Sequence, residues 1–408
     1  MERCMAVFSA NDKVNVRNQL HIPNDLSFSI LSKLPIKSLK RFGCVCKSWS
    51  LLFDNPIFMT LYRKHFLTKD HSYYDDTSVL FHQKFSPWDG YYWEETFELY
   101  CISDERFENR VKLDWPSVKL DPINRLQTEY DSGFDILGSG SVHGTLCLFC
   151  ANRENTILWK PSTKEFKFIP PSPFQHGPYW FVSVDYHGFG YDRVRDDYKV
   201  MCYGQIIFDF DEQSRDDIPS DEYIWEIYSL RSNSWKKLDV DMDHKPIEEV
   251  YMDGFSHCTC KSATRNEAYL LSIDWSNEIF LTTLIPSDWS NDYCHNYSVR
   301  LHLTLLNGSI ALILQYTETG TFHISILSEL GVQESWTKFF VVGPFPCFDH
   351  PIGAGKKGTM FFRKKDGRLV LFDLNTQRIE ELDVISSRYC CKIVIHKENL
   401  LPLEGADI

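Results

Sequence analysis

The chain repeats one local pattern six times, and that recurrence limits the folds open to it. Residues 226–238 read as strand, polar turn and second strand, with Tyr228 in the first strand and Trp235 in the second. The same spacing of seven places Tyr100 with Phe107, Trp159 with Phe166, Ile273 with Phe280, and Phe372 with Ile379. Leu327 and Trp336 form a looser copy nine apart, with Gly331 inserted in the turn. The turns hold Ser103-Asp104, Pro161-Ser162-Thr163, Ser232-Asn233, Ser276-Asn277 and Asn375-Thr376, short polar side chains that favour turns by bonding their own backbone. From copy to copy the chain advances 59, 69, 45, 54 and 45 residues. That period fits the four-stranded blades of a β-propeller of about six blades. A β-sandwich is the second choice, but it needs fewer copies. Further strands are expected at 144–150, 199–203, 309–315 and 359–363. The longest step contains the acid-rich stretch 209–222, which reads as a surface loop.

Ahead of this body lies a helical block. Pro23, Asn24 and Asp25 make a helix entry, since a capping side chain and an early acid suit the unpaired N–H groups of a first turn. Leu26, Ile30, Leu31 and Leu34 follow at helical spacing until Pro35 stops the run. A second segment over 36–46 sets Leu39, Phe42 and Val45 on one face, and a third from Lys47 carries Trp49, Leu52 and Phe53. Pro56 opens a fourth, followed by Phe58, Leu61, Tyr62 and His65. Helices this short bury too little apolar surface to be strongly stable alone, so an apolar stripe is expected to await a partner. The chain is therefore read as α+β and multidomain. A disordered stretch over 1–19 precedes the helical domain at 20–66, then a linker with first strands at 67–95. The β-body follows at 96–390, and a C-terminal strand and tail at 391–408.

Charge divides the same way. The net charge of −13 splits into about +5 over 20–66 and −18 over the remainder. An acidic body argues against a nucleic-acid surface. Thirteen cysteines, scattered without framework spacing, read as reduced thiols. The first twenty residues are polar and mixed, without the apolar core of a signal peptide, and no stretch reaches the length of a membrane span. The expected location is the cytoplasm, the nucleus or both. The sequons at Asn296 and Asn307 are then chance matches.

The helical block resembles the F-box: Ile22-Pro23, then Leu34-Pro35 with Ile36-Lys37-Ser38-Leu39, then Arg41-Phe42, Val45-Cys46-Lys47 and Ser48-Trp49. The resemblance implies docking on the Skp-type adaptor of a cullin–RING ubiquitin ligase. The residues it implies for that contact are Ile22, Pro23, Leu26, Ile30, Leu31, Leu34, Pro35, Leu39, Phe42, Val45 and Trp49. The body is similar to the F-box-associated domain of large plant F-box proteins, including the S-locus-like group, and to kelch-like propellers. Gly140-Ser141-Val142-His143-Gly144-Thr145-Leu146-Cys147-Leu148 looks like the family's G-S-C-N-G-L-L-C-L, with Val142 and His143 departing. Trp159-Lys160-Pro161-Ser162-Thr163 resembles W-N-P-S-T, with Lys160 in place of Asn. Gly188-Phe189-Gly190-Tyr191-Asp192 and Asp196-Asp197-Tyr198-Lys199-Val200 are nearly intact, Arg193 replacing the usual Pro. Asp253-Gly254-Phe255-Ser256-His257-Cys258 is a degraded N-G-x-x-H-W.

Other chemistries find little footing. The glycines at 188 and 190 are read as letting Phe189 and Tyr191 alternate while the backbone bends. Gly138, Gly140 and Gly144 lack phosphate-loop spacing, and a strand follows them. Cys147 and Cys150 lie three apart on a strand and face opposite sides, while His257, Cys258 and Cys260 would need a fourth ligand. Asp209-x-Asp211 starts like a calcium loop but has Ser214 and Ser220 at the positions requiring Gly and Glu. No metal, cofactor or catalytic constellation is expected. Two functions remain. The first is the substrate-recognition subunit of a Skp–cullin–F-box ubiquitin ligase, its body reading a protein substrate through loops that include Asp209, Asp211, Asp216 and Asp217. The alternative is a propeller enzyme or carbohydrate-binding protein with a helical cap.

Overall fold

The computed structural model describes residues 24–34, 36–45, 47–52, 55–68, 77–85, 96–102, 108–116, 133–149, 156–174, 176–177, 180–208, 223–240, 247–261, 267–289, 298–356, 358–386, 390–399 and 401–403. The stretch 1–19, expected to be disordered, lies outside them, as do Ile22, Pro23, Pro35, Phe107 and the acidic insert 209–222. The chain divides into two compact units, residues 1–70 and 71–408.

The first unit holds α1 (Asn24–Leu31), α2 (Ile36–Gly43), α3 (Lys47–Ser50) and α4 (Pro56–Thr68). Helix α1 stops three residues before Leu34, because the position preceding a proline disfavours helical geometry. Its end tightens into i→i+3 bonds, from Lys33 N–H to the Ile30 carbonyl (3.1 Å) and from Leu34 N–H to that of Leu31 (3.0 Å). Helix α2 ends at Gly43 rather than running on to Cys46, since glycine is a poor helix residue. Helix α4 starts at Pro56 as expected, and Asn55 caps it: its Oδ1 accepts from the N–H groups of Ile57 (3.0 Å) and Phe58 (3.1 Å).

The second unit is a six-bladed propeller of antiparallel sheets. The first blade contains β1 (Thr77–Phe85), β2 (Thr96–Ile102) and β3 (Arg110–Leu113). The second has β4 (Asp135–Ile136), β5 (Leu146–Phe149), β6 (Thr156–Lys160) and β7 (Glu165–Ile169). The third adds a fifth strand: β8 (His176–Gly177), β9 (Trp180–Asp192), β10 (Asp197–Phe208), β11 (Tyr223–Ser229) and β12 (Ser234–Leu238). The fourth comprises β13 (Ile247–Met252), β14 (Phe255–Lys261), β15 (Ala268–Asp274) and β16 (Ile279–Leu284). The fifth comprises β17 (Val299–Leu306), β18 (Ser309–Tyr316), β19 (Thr321–Leu327) and β20 (Trp336–Val342). The sixth comprises β21 (Phe348–Ala354), β22 (Thr359–Lys364), β23 (Arg368–Asp373) and β24 (Arg378–Ile385). The last strand, β25 (Cys390–Lys397), pairs with β1 and completes the first blade.

The repeated residue pairs are cross-strand partners in the outer hairpin of each blade. Trp159 faces Phe166, Tyr228 faces Trp235, Ile273 faces Phe280, Leu327 faces Trp336 and Phe372 faces Ile379. The first blade departs from the expectation. Tyr100 faces Lys112 instead of Phe107, because it lies two residues inside the end of β2 and seven residues separate β2 from β3, so its partner falls further along the chain. The apolar core lies between neighbouring blades; Leu270 of the fourth, for example, clusters with Leu303 and Leu312 of the fifth.

Two motifs explain how the ring is locked. Gly140 bridges to Ile395, and the Ser141 N–H donates to the Ile395 carbonyl at 2.8 Å. The Ser141 hydroxyl accepts from the Lys397 N–H (3.0 Å), and Asn399 Nδ2 donates to the His143 carbonyl. A side chain at Gly144, where φ is +73°, would meet the Lys397 carbonyl at 2.7 Å. From the neighbouring motif, buried Lys160 donates to Asn399 Oδ1 (3.0 Å) and to the Leu401 carbonyl, and the Ser162 hydroxyl donates to the Asn399 carbonyl (2.7 Å). The second blade thus grips the strand that closes the first.

The register of β9 shifts beside Gly188, as the expected bend requires, and Gly188 and Gly190 serve a second purpose as well. A Cβ at Gly190 would lie 1.9 Å from Trp275 Nε1, and one at Gly188 would lie 2.9 Å from the same indole ring. The indole lies against bare β9 backbone, fully buried, with its N–H donating to Ser256 Oγ at 3.0 Å. Beside it, buried Lys199 reaches Asp192 (2.9 Å), Glu278 (2.8 Å) and the Trp275 carbonyl (2.9 Å). Burial opposes ionisation of Asp192, but Lys199 and the Arg195 N–H outweigh it and bring the carboxyl down to about 2. Arg193, where the family has Pro, sits 3.8 Å from Asp253 and ties the third blade to the fourth.

Two outcomes follow for the body. Lys160→Met is expected to lower its stability by roughly 3 kcal/mol, by leaving Asn399 and the Leu401 carbonyl without their buried donor; an unchanged thermal midpoint would contradict this ring-closing role. Burial also lowers His82, His257 and His396 to about 4, with Lys392 adding to it at His82 and Lys160 at His396. Each stays neutral when folded but protonates below about 6.5 when unfolded, so its contribution is complete above that pH and drains as pH falls toward 4. His350, lowered mainly by burial, acts in the same sense. Glu226, Glu249 and His302 are shifted upward and act in the opposite sense. More groups are lowered than raised, so the midpoint should drop between about pH 7 and pH 5. Melting curves that superimpose over that range would refute the assignment.

Candidate functional site

The helical unit separates its apolar residues into a core and a surface. Helix α1 packs on α4 and α2 on α3. Phe28 meets Phe58 edge-on at 5.8 Å, and Phe58 stacks with Tyr62. Leu31, Leu39, Leu52, Phe58 and Tyr62 are buried. Leu31 and Leu39, expected among the docking contacts, are therefore packing residues: covering them holds short helices together and withdraws them from a partner. Leu26 (54% exposed), Ile30 (58%) and Val45 (67%) are the expected contacts that do stand open. Leu34, Phe42 and Trp49 are half-buried, with Trp49 edge-on to Phe42 at 5.6 Å.

Sequence reasoning missed Leu51, Ile57 and Leu61, which are also exposed. Ile57 and Leu61 stand one helical turn apart on α4, as Leu26 and Ile30 do on α1, and that i,i+4 spacing was the available signal. Large apolar side chains concentrated on so small a unit are what a protein-docking surface presents. The exposed cations Lys33, Arg41 and Lys47 flank them.

In the body, the inner strands enclose a cavity of about 440 Å3 along the propeller axis. Aliphatic and polar side chains share its walls, and the charged groups are mostly paired. Lys392 sits 3.3 Å from Asp135 and donates to the Ile136 carbonyl. His302 contacts Glu248 at 3.1 Å and Gln315 at 3.0 Å, and Glu248 raises its pKa against the effect of burial. Glu249 accepts from Ser256 Oγ (2.7 Å) and the Phe189 N–H (3.0 Å) through Oε1.

The thiols singled out earlier have separate partners. His257 Nδ1 contacts Ser272 Oγ at 2.8 Å, and Cys258 Sγ approaches the Leu271 carbonyl at 3.8 Å. Among the described residues, no three His, Cys, Asp or Glu side chains gather as a metal-ligand set. Asp209, Asp211, Asp216 and Asp217 lie outside the described residues.

Comparison with known proteins accords with this architecture. Residues 100–402 match the F-box associated beta propeller domain, and residues 20–61 match the F-box domain. The chain belongs to the F-box associated β-propeller family. A putative F-box protein of Arabidopsis thaliana is 25% identical over 90% of this chain and 87% of its own length. Another from the same plant is 31% identical over 45% of this chain, which spans only 40% of that protein. An oligogalacturonate lyase in complex with manganese superposes with a TM-score of 0.39 at 10% identity, covering 70% of each chain. In the F-box of this chain, Trp49→Ala should loosen the α2–α3 packing by about 1–3 kcal/mol, since half of a large aromatic is lost from the contact. Hydrogen exchange of α2 and α3 amides in the full chain would then speed up, and unchanged protection would count against that role.

Proposed function

We propose that the chain is the substrate-recognition subunit of a Skp–cullin–F-box ubiquitin ligase. The observation that carries this reading is the exposed apolar surface of the F-box, with Leu26, Ile30 and Val45 open while Leu31 and Leu39 hold the unit together. The F-box docks on the Skp-type adaptor, and through it on cullin and RING subunits. The propeller holds a protein substrate, and the transfer chemistry takes place on other subunits. Tethering alone accelerates that transfer, because it raises the effective concentration of substrate lysines near the ubiquitin carrier. Free thiols at Cys44, Cys101, Cys147, Cys202, Cys258, Cys260, Cys347 and Cys391 support a reducing compartment, the cytoplasm or the nucleus.

The test exploits the division between core and surface. A Leu26→Ala, Ile30→Ala double variant truncates only exposed side chains, so its thermal midpoint should stay close to that of the unmodified chain. Its capture of a purified Skp-type adaptor should fall by about tenfold or more, as for removal of apolar anchors from an interface. Equal capture by both proteins, or none by the unmodified chain, would defeat the proposal.

A further inference from the structure

Among the described residues that line the axial cavity, one has a buried side-chain polar atom that the protein leaves unsatisfied. Glu249 lines it, and while Oε1 holds two hydrogen bonds, Oε2 is buried and bonded to nothing. A buried polar atom without a partner is costly, and one that persists beside a cavity marks a place for a ligand. Gly138 borders this oxygen at φ +73°, a conformation that side-chain-bearing residues rarely adopt; an added Cβ would stand 3.6 Å from Oε2.

The surroundings select the ligand. Asp135 and Glu248 also line the cavity but are engaged with Lys392 and His302, so the uncommitted capacity is acceptor capacity on Glu249. A sugar ring would find one aromatic side chain, Phe149, among the described walls. Ile136, Ile313, Ile352 and Ile393 instead border the cavity with a few per cent of their surface, an apolar edge suited to an alkyl stem. The geometry points to a cation site: the propeller channel receives an alkylammonium or guanidinium group, with its stem against the isoleucines and its charge on Glu249 Oε2. A lysine or arginine side chain of a bound protein offers that chemistry, and so does a free amine. The assignment concerns the propeller alone and stands whether or not the F-box engages an adaptor.

Burial raises the Glu249 carboxyl to about 7, so near neutrality it is about half protonated while the site is empty. Lys392 faces it from β25, the Cys147 thiol from β5 and the Cys258 thiol from β14. Burial pushes Cys147 well up; at Cys258 the neighbouring Cys260 and then burial do the same, so both thiols stay neutral. An arriving cation therefore displaces the carboxyl proton to solvent, and affinity should rise with pH as that proton is lost beforehand.

The test is isothermal titration of the full chain with Nα-acetyl-lysine methylamide, its norleucine counterpart and n-butylamine, in buffers of different ionisation enthalpy. The lysine derivative is expected to bind with release of up to one proton at about pH 6 and less at about pH 8. The norleucine derivative, and the lysine derivative on Glu249→Gln, should bind about tenfold more weakly or worse. Tighter binding of the lysine derivative than of butylamine identifies a protein side chain as the source, and the reverse a free amine; both support the site. Equal affinity for lysine and norleucine derivatives, or an unaffected Glu249→Gln, would overturn it. If that variant does not fold, methyl resonances of Ile136, Ile352 and Ile393 in the unmodified chain decide. Shifts with the lysine derivative alone support the site, and their absence overturns it.

Discussion

Everything in the body depends on joining its two chain ends. A propeller is a ring of sheets that each bury their faces against two neighbours, so an open ring would leave two faces bare. Here β25 pairs along β1 from Thr77 with Lys397 to Lys84 with Cys390. Backbone pairing alone would leave the strand free to fray. Side chains of the second blade prevent this, with Lys160, Ser141 and Ser162 reaching across to Lys397, Asn399 and Leu401. The segments that resemble family motifs are therefore the latch of the ring.

The same economy governs the third and fourth blades. Trp275 can lie flat on β9 only because two glycines expose the backbone, and the polar ring of Asp192, Lys199 and Glu278 closes one side of that contact. A buried cation between two carboxylates stabilises only when its geometry is good, and the 2.8–2.9 Å separations meet that condition. With the interblade contacts fixed in this way, the axial cavity becomes a permanent feature. Its inner strands hold Glu249, Asp135 and His302 in place without help from a ligand.

Much of this was legible in the residues. Five of the six hairpin pairs followed from an aromatic or aliphatic pair across a polar turn, four of them across four connecting residues, where a two-residue period and a tight turn leave one alignment that suits both partners. Tyr100 escaped the rule because it lies two residues before the end of β2, with seven more residues before β3 begins, so spacing alone misplaced its partner. In the F-box, helical spacing located the helices, but it could not tell Leu31 from Ile30. Neighbouring residues on one helix differ by about 100° in direction, and which of them faces inward depends on the packing of α4.

The sequence by itself determined the division of the chain into an F-box and a ring of repeated sheets, since periodicity and turn chemistry are local properties. Tertiary structure decided which residues of those elements are latch, core, surface or site. Lys160 meets Asn399 and Glu249 meets Ser256 only after strands distant in sequence are brought side by side. Whether a carboxyl is ionised, or an isoleucine exposed, is set by its neighbours in space, and local pattern carries no information about those.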